Sequence, residues 1–260
     1  MPEFDRTLKF QFALFWAQPG FDMTSASMDT LHEALGNAPG GHAMGLRLSR
    51  EPQAHQPSVE VVGNQTRLGI PMAFWQAAGI WQVQVSPMRL DVFFDANAYA
   101  AARDLESPPG AADALARIAP AFRQVTEKWS VSRTALVVTG EASDRVVPRP
   151  ANVVARTFFN EEFQAQAARE EIEEATGRVN RRTHWRLSAE NDAVVNRIET
   201  CAAIWALNGT EEQRWLFWQM DVNTTPTSTA PMSAEEIQAF FSNAEAWSSD
   251  SLARLEFSHE

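Results

Sequence analysis

From Thr7 to Trp16 the chain alternates apolar and polar positions, with Leu8, Phe10, Phe12 and Leu14 on one face, before Pro19-Gly20 ends the run. A two-residue period belongs to a strand with one buried face, so the first element reads as β. A short helix over 28–35 follows, stopped at Gly36, and the segment NAPGG over 37–41 reads as a loop. Strands are expected over 42–48 and 58–68, parted by a loop holding Pro52 and Pro57. The clearest β signal is WQVQVSPMRLDVFF. Trp81, Val83 and Val85 alternate with glutamine, Ser86-Pro87 interrupts, and Met88, Leu90, Val92 and Phe94 resume. That pattern predicts a hairpin with one wet face.

The period then lengthens. After a Pro-Pro-Gly turn beginning at Pro108, Leu115, Ile118, Phe122, Val125 and Trp129 recur at three- and four-residue spacing, which predicts an amphipathic helix over 111–129 lying on a sheet. VSRTALVVTG over 131–140 returns as a strand, and Val147-Pro148-Arg149-Pro150 stiffens the chain. The expected division falls there, into lobes 1–147 and 148–260. The second lobe reads as a strand over 151–159, then a helix carrying Glu161, Glu162, Glu170, Glu171, Glu173 and Glu174 and ending near Gly177. Three strands follow, one centred on Trp185 and two over 198–207 and 215–222, as an antiparallel meander. The closing helix carries Ser233 and Glu236 as a capping box, with Ile237, Phe240, Phe241, Ala244 and Trp247 on one face. The fold class is therefore α+β: two lobes, each a mostly antiparallel sheet covered by one or more helices.

At 260 residues and 45% hydrophobic, the chain has material for sizeable cores, which excludes the disordered class. Nine Trp and sixteen Phe against one Tyr place the aromatic area in groups that favour burial. The formal charge of −11 repels a phosphate backbone at long range, so nucleic acid is disfavoured as a partner. A single cysteine, Cys201, cannot form an intramolecular disulfide. Asp5, Arg6 and Lys9 precede a short apolar run, which is not the pattern of a signal peptide. No stretch approaches the roughly 20 apolar residues needed to span a bilayer. A cytoplasmic location without membrane association is expected.

Candidate chemistry is sparse. Cys201 lies in an apolar strand beside Glu199 and Ala203, where packing rather than nucleophilicity is expected. His32, His42, His55, His184 and His259 show no metal-ligand spacing, and no phosphate loop, nucleophile elbow or kinase signature is present. No metal, cofactor or catalytic residue is assigned. Asp91, Asp95 and Asp221 are expected at strand ends, where aspartate ordinarily caps the next turn. Arg178, Arg181, Arg182, His184 and Arg186 form the one basic cluster, with Arg182, His184 and Arg186 on one strand face. They suit an acidic protein or phosphate, or the glutamates of the preceding helix. Trp215 and Trp218, with Phe217 and Leu216, give their strand apolar groups on both faces, as in an interface strand.

The segments SPMRLDVFF, VSRTALVV, WLFWQMDV and SDSLARLEF, with the long helix ending at Trp129, together resemble a sporadically distributed bacterial family of proteins of about this size and of unknown function. The resemblance covers about two-thirds of the chain, is carried by hydrophobic pattern, and transfers no catalytic residue. It implies a patchily distributed accessory protein associated with mobile or defence loci.

Three functions compete. The first is a non-catalytic subunit of a bacterial multi-protein complex that binds another protein or copies of itself. The second is a nucleic-acid-handling component using the arginine cluster. The third is an enzyme whose site gathers Asp91, His184 and Asp221 in a groove between lobes.

Overall fold

The computed structural model describes residues 6–36, 53–55, 59–62, 65–68, 72–77, 79–145, 147, 149–159, 175–186, 192–208, 211–226 and 231–255. In chain order the elements are β1 (Arg6–Trp16), α1 (Ser25–Gly36), β2 (Gln53–His55), β3 (Val59–Val62), β4 (Gln65–Leu68), β5 (Met72–Ala77), β6 (Trp81–Val85), β7 (Arg89–Asp95), α2 (Ala96–Ala102), α3 (Ala111–Lys128), β8 (Val131–Ser143), α4 (Pro150–Phe158), β9 (Ala175–Arg186), β10 (Asp192–Asn208), β11 (Glu211–Pro226) and α5 (Ala234–Arg254). Nine strands form one antiparallel sheet in the order β2-β5-β6-β7-β1-β8-β11-β10-β9, and β3 and β4 pair separately.

The class is α+β, as the pattern predicts. The sheet runs without interruption across the boundary expected at 147, because β8 pairs with β1 on one side and with β11 on the other. One apolar core likewise draws on residues from Phe10 to Leu255. Lobes 1–147 and 148–260 therefore share a sheet and a core.

Strand alternation divides this sheet into two faces. Phe10, Phe12 and Leu14 of β1 point to the same side as Leu90, Val92 and Phe94, Leu136 and Val138, Met220 and Val222, and all are buried. The helices lie on this side. Phe12 meets Phe122 of α3 and Phe241 of α5 at 6.3 and 5.6 Å between ring centroids. Trp185 of β9 packs against Phe240 and Trp247 of α5. The capping box of α5 forms as its sequence predicts: Glu236 N–H donates to Ser233 Oγ at 3.2 Å and Ser233 N–H to Glu236 Oε2 at 2.8 Å.

Other expectations are corrected. The segment 151–159 is the helix α4, not a strand. Pro150 supplies the fixed φ of a first helical position, and Ala151, Val154, Ala155 and Phe158 recur at helical spacing, which outweighs the β-branched pair Val153-Val154. Gly177 does not end a helix; it lies inside β9, directly under Phe158, where an added Cβ would come within 2.3 Å of the ring. The glutamates placed on that helix, and the strand expected over 42–48, fall outside the described residues. The strand expected over 58–68 is two strands, β3 and β4, with the turn-forming pair Gly63-Asn64 between them in sequence. Gly20, at φ +98°, lets the turn after β1 approach Pro87, whose carbonyl accepts from Phe21 N–H at 3.0 Å. Among the described residues no helix is long and apolar enough to cross a membrane.

Candidate binding face

The second face of the sheet carries no helical layer among the described residues. Ladder pairings set its residues in rows. One row runs Gln84, Asp91, Ala13, Ala135, Asn223, Asn196 and Arg182 across seven strands. The next runs Gln82, Phe93, Gln11, Val137, Asp221, Ile198 and Asn180. Alanines at the centre part the longer polar side chains into a group around Asp91 and a group around Asn223.

Each group is hydrogen-bonded within itself, and the two meet over Phe15. Arg89 Nε contacts Asp91 Oδ2 at 2.7 Å, and Gln11 Nε2 donates to Asp91 Oδ1 at 2.8 Å. Asn223 Oδ1 accepts from Arg133 Nη2 at 2.9 Å and from Asn196 Nδ2 at 3.1 Å, while its own Nδ2 donates to Asp221 Oδ1 at 3.0 Å. The guanidinium carbons of Arg133 and Arg89 stand 4.6 and 5.8 Å from the centroid of Phe15, which the two cations therefore share. Burial pushes the Asp91 carboxyl above its ordinary range, opposed by the Gln11 hydrogen bond and by Arg89.

Beside these groups lies a groove of about 470 Å³ over β6, β7, β1 and β8. Gln11, Gln82, Gln84, Thr139 and Gln219 supply paired donors and acceptors, Phe93 and Val137 supply apolar floor, and Lys9, Asp95 and Glu141 sit on its rim. Its charges are mixed, so nothing in it selects one sign of ligand. The sequence signal for part of it was the wet face of WQVQV.

The expected site residues separate. Arg178, Arg182, His184 and Arg186 are exposed and share the uncovered face of β9, whereas Arg181 is exposed on the opposite face. Arg186 pairs with Asp192 of β10 at 3.6 Å, both well exposed. Trp215 and Phe217 are half-buried on the uncovered face, but Trp218 is 0% exposed on the helical side, its indole N–H donating to Glu199 Oε1 and to Ser251 Oγ. Period-2 geometry makes a joint site of Trp215 and Trp218 impossible. Asp95 caps α2, its Oδ1 accepting from Ala98 N–H at 2.9 Å, as expected of a strand-terminal aspartate. Asp91 and Asp221 instead lie within their strands.

The trio Asp91, His184 and Asp221 is not brought together. Asp91 on β7 and His184 on β9 are five strand steps apart, roughly 24 Å at ~4.8 Å per step, and Asp91 and Asp221 are three steps apart, roughly 14 Å. Catalytic groups acting on one reacting centre need hydrogen-bond reach.

Cys201 is fully buried in β10 on the helical side, where burial, with the nearby Glu199 charge, pushes its thiol up to about 12. Only the thiolate alkylates, so iodoacetamide at pH 8 is expected to leave the folded chain unlabelled by mass spectrometry and to label it fully in denaturant. Rapid labelling of the folded chain would mean that β10 opens beneath its helices. Among the described residues no group of three or more His, Cys, Asp or Glu could hold a metal ion. No protein-family model matches this chain, and no curated protein matches it.

Proposed function

We propose that the chain is a non-catalytic assembly subunit, one that docks a protein surface against the uncovered face of its sheet. The observation that carries this reading is the half-buried apolar group on a face without a helical layer among the described residues. Phe15, Phe93, Ile198, Trp215 and Phe217 are partly exposed there, and Ile204 is 41% exposed. Partly wetted aromatics spaced among hydrogen-bonding side chains are the composition of a protein interface rather than of a solvated sheet face. The separation of Asp91, His184 and Asp221 removes that particular trio as an enzyme site. The setting implied by the family resemblance, a bacterial accessory complex, belongs to the same proposal.

Mass-resolved size exclusion of the purified chain, with a tagged pull-down from its host, tests the reading. A stable homo-oligomer or a co-eluting protein is expected, and the double variant Trp215→Glu/Phe217→Glu should dissociate it while the thermal unfolding of the isolated chain changes little. A strict monomer with nothing bound, or a complex indifferent to both substitutions, overturns it.

A further inference from the structure

The last strand of the sheet differs from the rest. β9 pairs with β10 along its entire length, from Ala175 opposite Ala203 to Arg186 opposite Asp192, and no strand lies on its other edge among the described residues. Of its twelve residues only Gly177 is buried, and the stretch from Asn180 to His184 is exposed on both faces. Among the described residues no strand takes up the outward backbone N–H and C=O groups of β9, and such an edge is the template on which another strand can form.

Its side chains decide which strand. β9 holds Arg178, Arg181, Arg182 and Arg186 with His184, and no carboxylate. Among the described residues the ion pair recorded for these arginines is the exposed one between Arg186 and Asp192. A second copy of β9 laid alongside would set arginine against arginine, and like charges directly opposite across a ladder are destabilising. An extended segment with Asp or Glu at alternate positions would set carboxylates beside Arg178, Arg182 and Arg186 instead. A single-stranded nucleic acid fits less well. The neighbouring uncovered positions of β10 are Val194, Asn196, Ile198 and Thr200, which give no aromatic platform for bases. A sugar-phosphate chain also leaves the backbone edge unpaired, and the net charge of −11 opposes it at long range.

We propose that β9 is a docking edge, which takes up an acidic extended protein segment as a tenth strand. The arginines disfavour self-pairing and select the partner's charge, and the backbone edge supplies the ladder. This edge is distinct from the Trp215 and Phe217 face, so either surface can fail without the other.

The test uses the full chain and a fluorescent ten-residue peptide of alternating Glu and Val, measured by anisotropy. The same peptide with Lys for Glu, one with alternate backbone amides N-methylated, and an oligo-dT strand serve as comparisons. The acidic peptide should bind at least about tenfold more tightly than each of the three. Arg178→Glu/Arg182→Glu should weaken it by at least about tenfold with thermal unfolding unchanged, both positions being exposed. Equal binding of the N-methylated peptide would reduce the interaction to charge alone and overturn strand addition. Tighter binding of oligo-dT, or no binding of the acidic peptide, would overturn the choice of partner.

Discussion

Replacing Phe12 by Ala should lower the unfolding free energy by about 3–5 kcal/mol, seen as a fall in the urea midpoint at constant slope. Its ring is 0% exposed and stands against Phe122 and Phe241, which themselves lie 5.5 Å apart. Three rings from β1, α3 and α5 thus meet at one point. Truncation there opens a cavity whose three walls are anchored elsewhere: β1 in its two ladders, α3 against α1, α5 at its capping box. Collapse onto the gap is resisted, so the loss belongs at the high end for a buried aromatic. A loss below about 1.5 kcal/mol would mean that the helices close over the space.

Removing Arg89 should cost more than removing it together with its partner. Arg89→Met leaves the Asp91 carboxylate, 3% exposed, without its cation, and a loss of about 2–4 kcal/mol at pH 7 is expected, the half-exposed arginine keeping it below the fully buried case. Arg89→Met/Asp91→Asn should recover most of it. The pH dependence has a definite sign. Burial already raises the folded pKa of Asp91 above 3.8, and losing Arg89 raises it further, so the folded state keeps a proton that the unfolded chain has released. The penalty is absent below the unfolded value and grows as pH rises through the folded one. Urea titrations at pH 4.5 and pH 7 should show the larger deficit at pH 7; a deficit equal at both would assign the loss to the contact with Phe15.

The sequence was most legible where one period ran uninterrupted. Phe10, Phe12 and Leu14, the WQVQV and LDVFF strands, the stripe Leu115 to Val125 and the Ser233–Glu236 box all fold as their spacing predicts. It misled where two signals competed in a short window, as at Val153-Val154 after Pro150, and where a glycine read as a stop sat under a ring, as at Gly177. The uncovered face was less legible. Asp91, Gln11, Arg89, Arg133, Asn196 and Asn223 are scattered over five strands, and only the register β7-β1-β8-β11-β10 gathers them. The basic cluster was visible because its members are neighbours in the chain, but the splitting of Trp215 from Trp218 needed only the strand period, applied strictly.

The place of β1 in the middle of the sheet has a kinetic consequence. Lys9 pairs with Asp95 on one side and Thr139 on the other, and β8 must then wait for Trp215 to Asn223. During synthesis β1 is made well before either neighbour, β7 at 89–95 and β8 at 131–143, so its second edge is covered only when β8 arrives. Such distant pairings fold on the order of milliseconds to seconds once the chain is free. A ribosome paused before residue 131 would hold β1 with one edge unpaired and Phe12 short of its cover from α5, so the rate of elongation through β8 governs how long that edge can find the wrong strand.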